Sequence, residues 1–178
     1  MRALRASVQL IQQDPAASLP PRLTAAEIVE EPLAIQCIGT AAERRQRALY
    51  WMREAGLEPG SASRRRHEFS GGQRARLAIA RALAMEPRLL ILDESFSSLD
   101  AEAQEHILEL LRDLTGRHHI GCLLITHDLS LVARMADEVA VLDGGRIVEH
   151  GPAAEVLGAP RHPQTRRLVH SMSGLGHA

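Results

Sequence analysis

The sequence predicts an α/β fold built on a parallel sheet, and three observations lead to that prediction. Residues 89–92 are a continuous apolar run of strand length, which is typical of a strand covered on both faces. Strand-like runs at 122–126 and 138–142 follow it, each preceded by a helical pattern. Aromatic residues are scarce, so the core must consist of Leu, Ile, Val and Ala. Strands that alternate with helices in this order indicate a parallel sheet with helices on both faces.

The first elements of the chain are mostly helical. Residues 8–11 form a short predicted strand, and a proline-rich stretch follows it. Within that stretch Thr24 and Glu27 have the spacing of a capping box, which predicts the start of a short helix. An amphipathic, Arg-rich helix is predicted over 41–56. Because these elements precede the strand–helix pattern, residues 14–85 are predicted to form a separate helical lobe.

The later elements alternate between helix and strand. A helix is predicted from Ser70 to about Met85, and an amphipathic helix over 101–115 with Gly116 as its C-cap. Towards the C-terminus we expect a helix after Asp128, the strand at 138–142, a turn at 143–145, a strand at 146–149, and a short helix with Pro152 at its first position and Gly158 just past its end.

Charge limits the mechanisms open to the chain. The 21 basic and 22 acidic residues nearly balance, so no bulk electrostatic attraction to nucleic acid is expected. All 21 basic residues are Arg, and this excludes any mechanism that needs a lysine ammonium from this chain. The basic run at 64–66 fits a solvated loop about as well as a contact surface.

The cellular compartment can be predicted from the two cysteines and from the length of the apolar runs. Cys37 and Cys122 are far apart and form no metal-binding or disulfide pattern, so we expect both to be buried small apolar residues in a reducing compartment. No apolar run approaches 18 residues, and the start has no apolar signal-peptide region. The sequence therefore predicts a soluble, cytoplasmic protein.

Two predicted strands end in polar residues, Asp93-Glu94 and His127-Asp128. Ligands bind at the carboxyl ends of strands in parallel α/β sheets, so these groups are candidates for a site. Consecutive side chains on a strand point to opposite faces, so Asp93 and Glu94 cannot share one task unless the strand ends between them. One carboxylate could serve a metal-bound water and the other act as a general base. Alternatively, the two carboxylates begin a turn and His127 is a satisfied polar residue.

The stretch Ser70-Gly71-Gly72-Gln73 also has two interpretations. It fits a capping box between Ser70 and Gln73. The two glycines also bare the backbone at a helix N-terminus, where amide donors and the helix dipole attract phosphate. Both can hold at once. Consecutive glycines in a first turn destabilise a helix. A ligand that approaches the backbone closely therefore explains the glycine pair better than the capping box does.

Taken together, "FSGGQRARLAIARAL", "LLILDESFSSLD" and "LLITHD" resemble the ATP-binding-cassette (ABC) ATPases, from about Val8 to the C-terminus. The resemblance implies a P-loop NTPase-type parallel sheet, incomplete here, with a helical signature subdomain. It also implies ATP and Mg²⁺ as cofactors. The implied site residues are the signature motif Ser70, Gly71, Gly72 and Gln73, the Mg²⁺-associated Walker B Asp93, the catalytic base Glu94, the D-loop Ser98, Leu99 and Asp100, the switch His127, and the Q-loop Gln13, which senses Mg²⁺.

Two stretches resemble the peptide and nickel importers within that family: "QDPAASLPPRLTAAEIVEEPL" and the tail "GAPRHPQTRRLV". Gln164 stands where their tail motif has tyrosine, and Ser95 stands where the family usually has proline. The resemblance divides the chain into a core remnant with the Q-loop (1–13), the signature subdomain (14–85), a core segment (86–150) and an importer-like tail (151–178).

The family holds phosphates with a G-x-x-x-x-G-K-S/T loop, and the 178 residues contain no such loop. Family members place that loop, and the aromatic residue that stacks on adenine, upstream of the Q-loop. We therefore expect the chain to be N-terminally truncated and to bind ATP weakly or not at all by itself.

The resemblance implies an ATPase subunit that energises an importer of peptides, nickel or a related small solute. Its implied partners are transmembrane permease subunits, a second ATPase subunit and, indirectly, a substrate-binding protein, at the inner face of the cell membrane. No nucleic acid is expected as a partner, since the tail is importer-like and no basic face is evident. The alternative is a non-catalytic docking module that contacts membrane subunits or a partner's ATP.

Overall fold

The structure is a computed structural model that describes residues 6–15 and 17–173. Its strands are β1 (Val8–Ile11), β2 (Leu89–Asp93), β3 (Gly121–Ile125), β4 (Glu138–Asp143) and β5 (Arg146–Pro152). Its α-helices are α1 (Ala25–Ile35), α2 (Ala41–Glu54), α3 (Gly71–Leu83), α4 (Ala101–Arg117), α5 (Leu129–Met135), α6 (Ala153–Gly158) and α7 (Pro163–Ser173). Short 3₁₀ segments lie at Pro59–Ser63 and Arg66–Glu68. The chain divides into two compact units, Met1–Ile125 and Thr126–Ala178.

The first unit contains the predicted parallel sheet, in the order β1-β2-β3. Ile11 pairs in register with Leu92, and Leu92 pairs with Leu124. The prediction that the strand at 138–142 extends this sheet is wrong, since β4 pairs antiparallel with β5 instead. Gly144 and Gly145 both have positive φ, as a two-residue hairpin turn requires, and this turn accounts for the pairing of β4 with β5.

One face of the three-stranded sheet lies in the core. Leu90, Leu92 and Ile11 are buried in a single cluster with side chains of α1 to α4. The opposite face carries Leu10, Leu123 and Ile125, which are 51%, 48% and 46% exposed. The helices of this unit therefore cover one face of the sheet, where the sequence predicted cover on both.

The helical part of the first unit packs into the same core. Helices α1, α2 and α3 contact one another, and α3 also contacts β1 and α4. Trp51, on α2, is 2% exposed, and its ring centroid lies 4.7 Å from that of His118, just past the end of α4. Burial of this large ring fixes the end of α2 against the end of α4.

Within the described residues, three α-helices begin with a capping box. Thr24 caps α1 with Glu27, and Ser70 caps α3 with Gln73, as predicted. The third box, Thr40 with Glu43 at the start of α2, was not predicted, although its sequence pattern is the same. In each box one side chain accepts from a backbone amide of the first turn and the other accepts in return, so two otherwise unpaired donors are satisfied.

Some element ends differ from the sequence-based expectations. Helix α4 continues through Gly116 to Arg117, and Gly158 is the last residue of α6 rather than the one beyond it. Helix α7 was not predicted. Cys37 and Cys122 are both exposed, which contradicts the expected burial. Cys37 lies in a turn past α1 with φ of 58°, and Cys122 lies on β3, an outer strand of the three-stranded sheet.

Across 6–15 and 17–173, no helix combines the length and the apolar character that crossing a membrane requires.

Candidate functional site

The candidate site begins where β2 ends. Asp93 is the last residue of that strand and is exposed. Glu94 follows with φ of 45°, and its amide donates to the Ile125 carbonyl at 2.9 Å. The strand therefore ends between the two carboxylates, so strand alternation no longer separates them and the condition under which they could share one task is met. A non-glycine residue at positive φ is strained, and such strain is concentrated at functional sites.

Gln13 lies two residues beyond the end of β1, beside the end of β2. Its Nε2 donates to Glu94 Oε2 at 3.3 Å. The parallel pairing of β1 and β2 brings together these two side chains, which the sequence placed in different motifs. The contact links the predicted Q-loop residue directly to the predicted general base.

Ser95 is a residue of this site that the sequence did not assign to it. It is 7% exposed, and its Oγ donates to the Ile11 carbonyl at 2.6 Å. The sequence marked Ser95 only as a departure from the usual proline. No local pattern predicts a hydrogen bond to a residue 84 positions away.

The N-terminus of α3 carries the predicted signature residues. The Gln73 amide donates to Ser70 Oγ at 3.3 Å, and the Ser70 amide donates to Gln73 Oε1 at 3.0 Å. A Cβ built on Gly71 would lie 3.4 Å from Leu99 Cδ2, and one on Gly72 would lie 3.9 Å from the Cβ of Ala103. These are ordinary van der Waals contacts, so packing within this chain does not require glycine at either position.

The predicted D-loop joins the end of β2 to α4 and lies beside α3. Asp100 caps α4, and its Oδ1 accepts from the Ala103 amide at 2.8 Å. Leu99 is the side chain that faces Gly71. The structure therefore brings the signature motif and the D-loop together within one unit.

A cavity of about 480 Å³ adjoins these elements. It is lined by residues that follow Gln13, by the first turn of α3 and by the D-loop, among them Asp14, Gly71 and Ser98. Arg66 and Arg74 give its wall two cationic side chains. Among the described residues, the buried Nε of Arg74 has no hydrogen-bond partner. The sequence did not single out either arginine for this position.

His127 lies in the second unit, immediately before α5, and is exposed. The neighbouring Asp128 caps α5, and its Oδ1 accepts from the Ser130 amide at 2.8 Å. The role of His127 stays a prediction from the sequence motif.

In the importer-like tail, Glu149 is a second residue that sequence reasoning missed. From β5 it accepts from the amides of Arg161 and His162, each at 2.9 Å. The nearby Thr165 hydroxyl and these two amides lower the pKa of Glu149 to about 2. Thr165 Oγ1 makes no well-formed hydrogen bond among the described residues, so we assign the anchoring to the amides. Glu149 thereby fixes the corner that precedes α7.

The residues near the end of β2 could supply some, but not all, of the ligands of a Mg²⁺ ion. Mg²⁺ prefers oxygen ligands and usually takes one or two carboxylates together with phosphate oxygens and water. The Asp93 carboxylate and the Gln13 amide oxygen are ligands of that kind. In the part of the chain that the structure describes, no group of three or more Asp, Glu, His or Cys residues is arranged to hold a metal ion. A metal here would therefore depend on the nucleotide for its remaining ligands.

Comparison with known proteins gives one matching family. The sequence profile described as "ABC transporter" matches residues 1–97. A Brucella ovis protein designated a peptide import ATP-binding protein is 47% identical over 169 residues, which are 95% of this chain and 53% of that protein. The glutathione import ATP-binding protein GsiA of Pectobacterium atrosepticum is 44% identical over 95% of this chain and 27% of its own length. The chain thus spans about half the length of the Brucella ovis protein and about a quarter of the length of GsiA.

Solved structures give the same fold. The structure of cbiO1 from Clostridium perfringens, part of the transporter complex cbiONQ, has a TM-score of 0.79 and 30% sequence identity, over 96% of this chain and 69% of that one. The ATP-binding cassette MJ0796, in a dimeric post-hydrolysis state with ADP and Pi, has a TM-score of 0.71 and 32% identity, over 85% of this chain and 65% of that one.

Proposed function

Because the chain belongs to the ABC transporter family, we propose that it supplies the signature, Walker B, D-loop and switch elements of an ATPase that energises import of a peptide or a related small solute. Nickel remains within the proposed range of solutes through the resemblance of the tail. The nucleotide would be ATP with Mg²⁺. Since the 178 residues contain no phosphate-binding loop, the bound phosphates would be held mainly by other protein segments.

The observation that carries this proposal is the glycine pair at the start of α3. Neither Gly71 nor Gly72 is required by packing within the chain, although glycine in a helix costs about 1 kcal/mol relative to alanine. Side chains at both positions would block access to the amides of the first turn. A phosphate that approaches from outside the chain explains the pair, because free amides and the helix dipole favour an anion there.

The proposed roles follow the chemistry of each side chain. Glu94 would take a proton from the attacking water, since it is a carboxylate directly after β2. Asp93 and Gln13 would contribute oxygen ligands to Mg²⁺. Ser70 and Gln73 would orient the amide donors of Gly71 and Gly72 towards the terminal phosphate.

Ser98, Leu99 and Asp100 would connect the signature motif to the turn after Glu94. His127 would position the water or the transferred phosphoryl group.

The proposed partners are those that an importer requires. A second ATPase subunit would provide the nucleotide that the signature motif contacts, and transmembrane permease subunits would receive the resulting movement. A substrate-binding protein would take part indirectly. The working location would be the inner face of the cell membrane.

A non-catalytic docking module is the second candidate, and one observation favours it. The chain has no lysine and no phosphate-binding loop, so it lacks the groups that hold ATP most tightly in its family. Such a module would bind permease subunits, or a partner's ATP, without hydrolysis of its own.

The test is to isolate the native protein from its source cells with an antibody against the tail. Its mass, its co-purified proteins and its ATP hydrolysis would then be measured. Co-purified permease subunits with ATP hydrolysis support the ATPase proposal. Permease subunits without hydrolysis support the docking module, and the absence of both contradicts the importer assignment.

The role of Glu94 needs a matched pair of variants in the same preparation. Glu94→Gln keeps the shape of the side chain and removes the base, so hydrolysis should fall at least 100-fold. Glu109→Gln makes the same chemical change at an exposed position on α4 and should leave hydrolysis unchanged. Retained hydrolysis in Glu94→Gln would show that another group is the base.

A further inference from the structure

Two short segments of the site, residues 11–13 and 94–95, are joined by two hydrogen bonds of very different quality. The buried bond runs from Ser95 Oγ to the Ile11 carbonyl at 2.6 Å. The exposed bond runs from Gln13 Nε2 to Glu94 Oε2 at 3.3 Å. Both connect the end of β1 to the turn after β2. A short buried bond is held far more firmly than a long exposed one.

The bond from Ser95 continues the contact between the two strands beyond their last paired residues. Ile11 is the final residue of β1, and its register partner is Leu92. Beyond that pair the chain turns, with positive φ at both Glu94 and Phe96. The Phe96 side chain is 1% exposed and anchors the far side of the turn in the core.

On the near side of the turn, the Glu94 amide is committed to β3 through the Ile125 carbonyl. The Ser95 hydroxyl holds the turn to β1 through the Ile11 carbonyl.

We propose that Ser95 is a positioning residue that holds Gln13 within reach of Glu94. The hydroxyl fixes the Ile11 carbonyl, and Gln13 lies only two residues further along the chain. Without that bond the segment after β1 loses its tie to the turn, and the weak Gln13–Glu94 contact cannot by itself replace it. The functional importance of the contact rests on the proposed function, in which Glu94 is the base, but the positioning itself does not.

The experiment uses the complete 178-residue chain with ¹⁵N-labelled glutamine and measures the order of each side-chain amide by heteronuclear NOE. Gln12, exposed and adjacent, is the internal reference for a mobile side chain. Glu94→Ala removes the acceptor and defines the signal of a released Gln13. In Ser95→Ala the Gln13 amide should become as mobile as in Glu94→Ala. Ser95→Thr, which keeps the hydroxyl, should restore its order.

Ser61→Ala is the matched control. Ser61 is also buried, at 2% exposure, and its Oγ donates to the Glu58 carbonyl at the same distance of 2.6 Å. The Ser61→Ala substitution should leave the order of the Gln13 side-chain amide unchanged. An ordered Gln13 in Ser95→Ala would overturn the proposal, as would the same loss of order in Ser61→Ala. Because no ATP is involved, either result differs from a failure of the proposed function, which shows as retained hydrolysis in Glu94→Gln.

Discussion

Gln13 and Glu94 lie 81 positions apart in the sequence and are joined by a hydrogen bond of 3.3 Å between their side chains. The bond is long and solvent-exposed, so it contributes little to folding. We expect Gln13→Ala to change the free energy of unfolding by less than about 0.5 kcal/mol, as is usual for a surface substitution. Chemical denaturation checks this value. A larger loss would show that Gln13 has a structural role in addition to its proposed catalytic one.

The capping box at Ser70 has a structural role and a proposed functional role. The box at Thr40 has the structural role alone, so a comparison of the two boxes distinguishes the roles. Ser70→Ala and Thr40→Ala each remove a side chain that accepts from a backbone amide. Each should lower the free energy of unfolding by about 1 kcal/mol. In the native ATPase preparation only Ser70→Ala should reduce hydrolysis. Equal effects of both variants on hydrolysis would mean that the loss arises from stability alone.

The positive φ of Glu94 predicts an unusual response to glycine. A residue other than glycine is destabilised by about 1–2 kcal/mol in the left-handed region of backbone conformation. The free energy of unfolding of Glu94→Gly should therefore exceed that of Glu94→Ala by about 1 kcal/mol. His119, which is exposed and has φ of 53°, provides the control, and His119→Gly should exceed His119→Ala in the same way. Thermal melts of the four variants test this. If the glycine variant were more stable than the alanine variant at position 119 but not at position 94, the strain assigned to Glu94 would be contradicted.

The depressed pKa of Glu149 predicts an acid-sensitive tail. The folded value is about 2 and the ordinary value is 4.5. Its carboxylate therefore stabilises the fold fully above about pH 4.5, and this stabilisation is lost as the pH falls towards 2. The NMR shifts of the Arg161 and His162 amides should follow that titration. Glu149→Gln should abolish it, whereas Glu155→Gln, on α6, should not. Amide shifts that titrate near pH 4.5 would contradict the anchoring role.

Nucleotide affinity is a direct consequence of composition. With no lysine and no phosphate-binding loop, the isolated chain lacks the main contacts to the β- and γ-phosphates. We expect no saturable binding of ATP with Mg²⁺ in the micromolar range by calorimetry. A micromolar Kd would show that this chain has another phosphate site, and the cationic wall of Arg66 and Arg74 would be the first place to test by substitution.

The sequence predicted local features best. The boxes at Thr24 and Ser70 follow from residues three positions apart, and β2 follows from a continuous apolar run. Thr40 and Glu43 have the same spacing, so that box could have been predicted from the same pattern. The parallel pairing of β2 with β3 was also predicted, because a helix lies between these two strands. Residues 8–11 were predicted as a short strand, but their pairing with β2 was not.

Long-range relationships were predicted poorly, for physical reasons. The turn at Gly144 and Gly145 accounts for the pairing of β4 with β5, but no local pattern in β4 determines whether its other edge joins a sheet. The bond from Ser95 to Ile11 joins residues that no periodicity connects. The burial of Cys122 depends on whether β3 has a further neighbour, which its own sequence does not reveal.

The burial of Trp51 has a practical consequence for studies in solution. All four aromatic residues, Tyr50, Trp51, Phe69 and Phe96, precede residue 126 and belong to the first unit. Tryptophan emission and near-ultraviolet dichroism therefore report on that unit alone. Unfolding of Thr126–Ala178 is optically silent in both, but it changes the far-ultraviolet signal of its helices. A far-ultraviolet transition that occurs without a change in emission can thus be assigned to the second unit without any added label.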